Sequence, residues 1–107
     1  MTYDEALTRF IKLCQERSDA HFAKELPYST PQKFGFIHGR KYDKVITLNP
    51  ERGAYCWIDR ANGNIMKGSW KRIEHWTPRG NIYNDDPLQG TNLYGVDYLK
   101  LDNSQWK

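Results

Sequence analysis

Between Arg52 and Arg79 the chain sets three of its four tryptophans, Trp57, Trp70 and Trp76, among Arg60, Lys67, Lys71, Arg72 and Arg79. Cations interleaved with flat rings are what phosphate groups and stacked bases require: charge for the backbone, aromatic faces for the bases, and guanidinium forks for two-pronged hydrogen bonds to phosphate. Residues 60–79 carry five Lys/Arg against one Asp/Glu, whereas residues 1–25 carry four against five and residues 80–107 two against four. The formal net charge of +3 is therefore concentrated in this stretch. Arg60, Lys67, Trp70, Lys71, Arg72, Trp76 and Arg79 are the candidate binding residues, with Tyr83 just beyond them. Two plainer readings stand beside this one. Trp57 and Trp70 can simply cover a sheet, and lysine along an exposed strand edge discourages aggregation. Trp, Tyr and Arg are also the residues enriched at protein–protein hot spots.

Catalysis has no comparable support. The sequence holds no Gly-rich phosphate loop, no Ser or Cys in a known catalytic setting and no His-Glu metal pattern. Asp85-Asp86 pairs carboxylates in sequence only, and a turn before Pro87 accounts for them. His21, His38, His75, Cys14 and Cys56 are scattered, without the close spacing of a zinc site. The expectation is a non-enzyme with no cofactor and no metal.

The elements that must hold the candidate residues follow from periodicity. Tyr55–Asp59 and Ile65–Trp70 are rich in aromatic and β-branched residues, and Asn62-Gly63 between them supplies the positive φ of a tight reversal, so they predict a β-hairpin. Alternation puts Ala54, Cys56 and Ile58 on one face and Tyr55, Trp57 and Asp59 on the other. Lys41–Leu48 adds a strand before the Asn49–Gly53 turn, completing a three-stranded meander over residues 41–70. Upstream, Thr2-Tyr3-Asp4-Glu5 fits a capping box, and Leu7, Phe10, Ile11 and Cys14 recur at helical spacing. That pattern loosens at Ser18-Asp19 and runs to Pro27, predicting one helix or two over residues 1–26. Pro27–Gly39 reads as a loop in which Phe34, Phe36 and Ile37 plug the core or form a short strand. Residues 71–83 read as an ordered basic-aromatic surface loop, because Pro78 and Gly80 interrupt any regular element. Residues 84–107 read as a turn-rich tail, with a last strand over Tyr94–Leu101 carried by Val96, Tyr98 and Leu99. The fold class is α+β, an N-terminal helix or two on a small antiparallel sheet of three to five strands, in one domain.

With 38% hydrophobic and 27% charged residues the composition is that of a globular protein. No apolar run approaches a membrane span, and the basic and apolar regions of a signal peptide are missing, which predicts a cytoplasmic protein that makes no membrane contact. In that compartment Cys14 and Cys56 are expected as free, buried thiols.

Asp59-Arg60-Ala61-Asn62-Gly63-Asn64-Ile65-Met66-Lys67, followed by Ser69-Trp70-Lys71 and then Arg79-Gly80-Asn81-Ile82, resembles a pattern in small accessory proteins of tailed bacteriophages. Across the middle third of the chain it runs Asp-x-x-x-Gly-Asp/Asn-Ile-x-Lys, then Trp-Lys, then Arg-Gly-Asn-Ile, with one residue fewer here before Trp70. The resemblance implies a phage accessory protein made in the host cytoplasm. Such proteins commonly act by stoichiometric binding, so the expected partner is a host protein or a nucleoprotein complex of host defence, as for an anti-CRISPR inhibitor, engaged through the basic-aromatic face. A general single-stranded nucleic-acid binder, a sponge for a nucleotide signal and a purely protein-directed inhibitor are the alternatives. A protein with net charge +3 is a poor mimic of DNA.

Overall fold

The computed structural model describes residues 1–49 and 51–97. A single helix, α1 (Tyr3–Glu25), opens the chain. Its capping box forms in full: the Glu5 amide donates to Thr2 Oγ1 at 3.2 Å, and the Thr2 amide donates to Glu5 Oε1 at 2.9 Å. Two of the donors that a helix start leaves without partners are satisfied this way. Ala6, Leu7, Phe10, Cys14, Ser18 and Phe22 form the buried stripe. The helix passes Ser18 unbroken because the Ser18 hydroxyl lies on that buried side and donates to Gln32 Oε1 at 3.2 Å. Leu26 caps the end, just before Pro27, where the chain favours an extended conformation.

Five strands follow in an antiparallel sheet ordered as in the sequence: β1 (Lys33–Ile37), β2 (Tyr42–Asn49), β3 (Gly53–Asp59), β4 (Asn64–Gly68) and β5 (Ile73–Asn81). The β3–β4 turn is the expected one, with Gly63 at φ +80° and its amide bonded to the Asp59 carbonyl at 2.7 Å. Two strands extend the predicted meander. Phe34, Phe36 and Ile37 build β1, and the segment read as a surface loop over 71–83 is largely β5. Pro78 and Gly80 are accommodated because β5 is an edge strand, where a missing amide donor costs no ladder bond. They also sit on a wide irregularity: Ile65 pairs with Gly80 and Lys67 with His75, so residues 76–79 bow outward opposite Met66. Beyond it lies a two-stranded ribbon, β6 (Thr91–Asn92) and β7 (Gly95–Val96). Tyr98 and Leu99, expected in a last strand, lie outside the described residues. No helix among the described residues is long and apolar enough to cross a membrane.

One face of the sheet carries the helix. Phe10, Cys14, Val45, Cys56, Ile58, Ile65, Ile82 and Val96 all fall within 3% exposure there, and a fully buried side chain of this kind contributes about 1.5–3 kcal/mol. Tyr55 joins them, which alternation did not predict. Val45 pairs with Cys56 and Ile46 with Ala54, leaving Tyr55 as the extra residue of a bulge. The bulge turns its ring to the helix side, where it meets Phe34 edge-on at 5.0 Å. Burial raises the Tyr55 phenol pKa and pushes the Cys14 thiol up to about 11. Arg17 reaches Tyr55 Oη at 2.7 Å, Thr91 Oγ1 at 3.0 Å and the Asn92 carbonyl at 2.8 Å, while the Tyr55 hydroxyl donates to that same carbonyl. Arg9 holds the carbonyls of Ile82 and Asn84 at 2.8 and 3.0 Å. Two helix arginines thus fasten the 82–97 segment to the core. Both cysteines are free and buried.

Candidate functional site

On the other face, residues of β2 and β3 point away from the helix, and the Ser69–Arg72 turn folds across them. The turn closes with the Ser69 amide on the Arg72 carbonyl at 2.9 Å. Gly68 permits the approach, since a Cβ there would stand 2.5 Å from the Arg72 carbonyl oxygen and 2.7 Å from Trp57 Cδ1. Two side chains of the sheet secure the turn by its carbonyls. Trp57 Nε1 donates to the Ser69 carbonyl at 2.9 Å, and Lys44 Nζ donates to the Trp70 carbonyl at 2.6 Å. Trp70 and Lys71, at the tip, are thereby fixed against the sheet.

Lys44 is held between indoles, its Nζ 3.7 Å from the Trp70 ring centroid and 5.3 Å from that of Trp57. Arg52 approaches Trp70 from β3's end of the preceding turn, its Cζ 5.6 Å from the ring. Each ring's electron-rich face attracts such a cation. Partial burial, with Arg52 as a second cause, lowers the Lys44 pKa. Beside this layer an open cleft of about 670 Å³ has Tyr42 and Trp57 on the sheet side and Lys71, Arg72, Glu74 and Trp76 on the other. Trp76 is 59% exposed. Tyr42 braces it edge-on, ring centroids 5.5 Å apart. Flat surfaces, two cations and one carboxylate therefore converge on a space large enough for one nucleotide-sized group.

The seven candidates divide. Trp70, Lys71, Arg72 and Trp76 come together in and beside the cleft. Arg60 points to the opposite side of the sheet: it donates to the Gly39 carbonyl at 2.8 Å, stands 3.8 Å from Asp43 Oδ1 and lies over the Tyr3 ring at 5.6 Å. Lys67 donates to the Val96 carbonyl at 3.3 Å. Arg79 binds the Thr77 carbonyl at 2.6 Å and the Asp97 carbonyl at 3.3 Å, bridging β5 to the tail. These three brace the fold rather than the cleft. Lys44, Arg52, Tyr42 and Glu74 belong to the face although sequence reasoning did not select them. For the β2 pair, period-two alternation sets Tyr42 and Lys44 on one side together, and the register, with Lys44 opposite Trp57, brings that side to the face.

Asp43, next to Lys44 in the chain, faces the helix and is fully buried. It accepts from Tyr3 Oη at 2.7 Å and from the Gly39 amide at 3.2 Å, and pairs with His38 Nδ1 at 2.9 Å. Burial, followed by the Asp43 contact, raises the Tyr3 phenol pKa. A carboxylate so fully engaged has an evident structural role. Among the described residues, no three His, Cys, Asp or Glu side chains gather as a metal ion would need.

No known family model matches the chain, and neither a curated protein nor a solved structure is similar to it. The functional reading rests on the chemistry of the face itself.

Proposed function

We propose that the protein acts by stoichiometric binding, and that the face formed by Trp70, Lys71, Arg72, Trp76, Tyr42 and Trp57 engages a single-stranded nucleic acid, free or displayed by a nucleoprotein complex. The observation that carries this reading is the convergence of exposed aromatic rings and unburied cations on one cleft. Base–aromatic stacking contributes about 1–3 kcal/mol per base, and cations supply the attraction to phosphate that requires no sequence. The resemblance of the 59–82 segment to phage accessory proteins suggests the setting: a protein made in the host cytoplasm that blocks a host defence nucleoprotein, in the manner of an anti-CRISPR inhibitor.

Equilibrium binding of a labelled single-stranded oligonucleotide over a salt series tests the proposal. Affinity should fall linearly on a log–log plot as salt rises, and Lys71→Glu/Arg72→Glu should weaken binding while leaving the fold intact. Salt-independent binding of a host protein by that variant would sink it in favour of a protein-directed inhibitor. A second reading, capture of a small nucleotide signal, is favoured by the cleft's volume of about 670 Å³. It would appear as saturable uptake of a mononucleotide accompanied by a rise in thermal stability.

A further inference from the structure

Glu74 is out of place in a phosphate-binding cleft. It lines the same space as Lys71 and Arg72, and it is exposed. Neither cation neutralises it: the two ion pairs among the described residues both belong to Asp43. A carboxylate left without a partner here repels phosphate and weakens the binding of any strand. It is useful only if the ligand brings hydrogen-bond donors to it.

The bases differ sharply in what they can bring. Adenine and cytosine each present one amino donor on the pairing edge, beside a ring nitrogen whose lone pair a carboxylate repels. Uracil and thymine present one N–H between two carbonyl oxygens. Guanine alone sets two donors side by side, the ring N1–H and the exocyclic N2 amino group, at the spacing of a carboxylate's two oxygens. Single-stranded bases are free to turn this edge toward a protein while stacked on an aromatic ring.

Building on the nucleic-acid reading of the cleft, we infer that the face selects guanine: the base stacks beside Trp76 and Tyr42, its N1–H and N2 amino group donate to the Glu74 carboxylate, and Lys71 and Arg72 take the adjoining phosphate. The arrangement also explains why the cleft mixes charge signs. The two cations serve the backbone, and the one anion serves the base. A ligand that were merely cationic would find the same rings and carboxylate but be repelled by Lys71 and Arg72. A plain phosphate would find the cations but be repelled by Glu74. A guanine nucleotide unit satisfies all three kinds of group at once, and the ligand assigned here is such a unit within a single strand.

The test uses labelled pyrimidine oligonucleotides that carry guanine, hypoxanthine or adenine at one central position, titrated against the full chain. Guanine should bind about tenfold tighter than adenine, equivalent to about 1.4 kcal/mol. Hypoxanthine, which keeps N1–H but lacks the N2 amino group, should fall between them. In Glu74→Gln the three affinities should converge to within about twofold, with the adenine strand bound no more weakly than by the wild type. Equal affinities in the wild type would overturn the guanine assignment while leaving the binding face standing. Absence of binding to every strand would overturn both. Guanosine monophosphate serves as competitor: displacement at the concentration of the strand itself would overturn the assignment to a strand. The base substitutions require no change to the protein, so the result does not depend on how the variant folds.

Discussion

Asp43 and Lys44 are consecutive residues of β2, and the sheet sends one to each face. Asp43 meets the helix side and is closed in by Tyr3, His38, Gly39 and Arg60. Lys44 meets the other side, where indoles flank it and solvent remains within reach. Both faces combine charge with aromatic rings, yet their logic differs. On the helix side the Asp43 carboxylate and the terminal nitrogens of Arg9 and Arg17 are held by the fold, because an unpaired charge is costly where water is excluded. Only Arg9 Nε and Arg17 Nε are buried without an acceptor among the described residues. On the far side the rings and the cations at the turn keep binding capacity to spare. Composition alone does not distinguish a brace from a site; what the polar groups already hold does.

The contrast can be broken most forcefully at Asp43. Asp43→Ala leaves the Tyr3 hydroxyl, the Gly39 amide and His38 Nδ1 without that partner and removes the charge opposite Arg60, and should cost about 3 kcal/mol in urea unfolding. Strand binding by the folded fraction should be unaltered. Next in size is Trp76→Ala, expected to weaken strand binding by about 1–3 kcal/mol while shifting stability by less than about 0.5 kcal/mol. If Trp76→Ala instead unfolds the protein, the far face is a second core.

Alkaline pH probes the buried thiols and phenols of the helix side. Cys14, normally near 9.0, is held up to about 11 by burial, and Cys56, Tyr3 and Tyr55 are raised in the same direction. Their folded-state pKa values exceed the unfolded ones, so the stability they contribute is complete below about pH 9. It is lost as pH rises from there, by about 1.4 kcal/mol per pH unit for each group that has titrated in the unfolded chain but not in the native one. Urea midpoints measured between neutral pH and pH 11 should show this decline. The finest comparison sets two arginines of one stretch against each other. Arg72→Glu should reduce the log–log salt slope of strand binding by about 0.7, one phosphate contact. Arg79→Glu should leave that slope unchanged, since Arg79 is occupied by backbone carbonyls.

The sequence announced what local physics decides. Thr2 and Glu5 mark the helix start because the capping box closes within one turn, and Asn62-Gly63 marks the hairpin because Gly63 needs a positive φ. The α+β class followed from those two signals. Where position in the sheet mattered, the reading stopped short. Pro78 looks like a strand breaker until it is known to lie on an edge, and Tyr55 looks like a neighbour of Trp57 until a bulge shifts it to the other face. The candidate site divided for a similar reason. Arg60, Lys67 and Arg79 resemble Lys71 and Arg72 in type and spacing, but their partners, the carbonyls of Gly39, Val96 and Asp97, come from segments that only the tertiary fold brings near. Lys44 went unselected because the basic cluster begins after it and only the register of β2 against β3 sets it opposite Trp57.

Trp57, Trp70 and Trp76 all stand on the face away from the helix, half-buried or exposed. Emission from these three is a gauge of the cleft and its turn, not of the helix-side core. Ligand uptake should quench or shift that light without altering the far-ultraviolet dichroism of α1. Denaturation followed by the two signals together would show whether the turn over Lys44 lets go before the helix does.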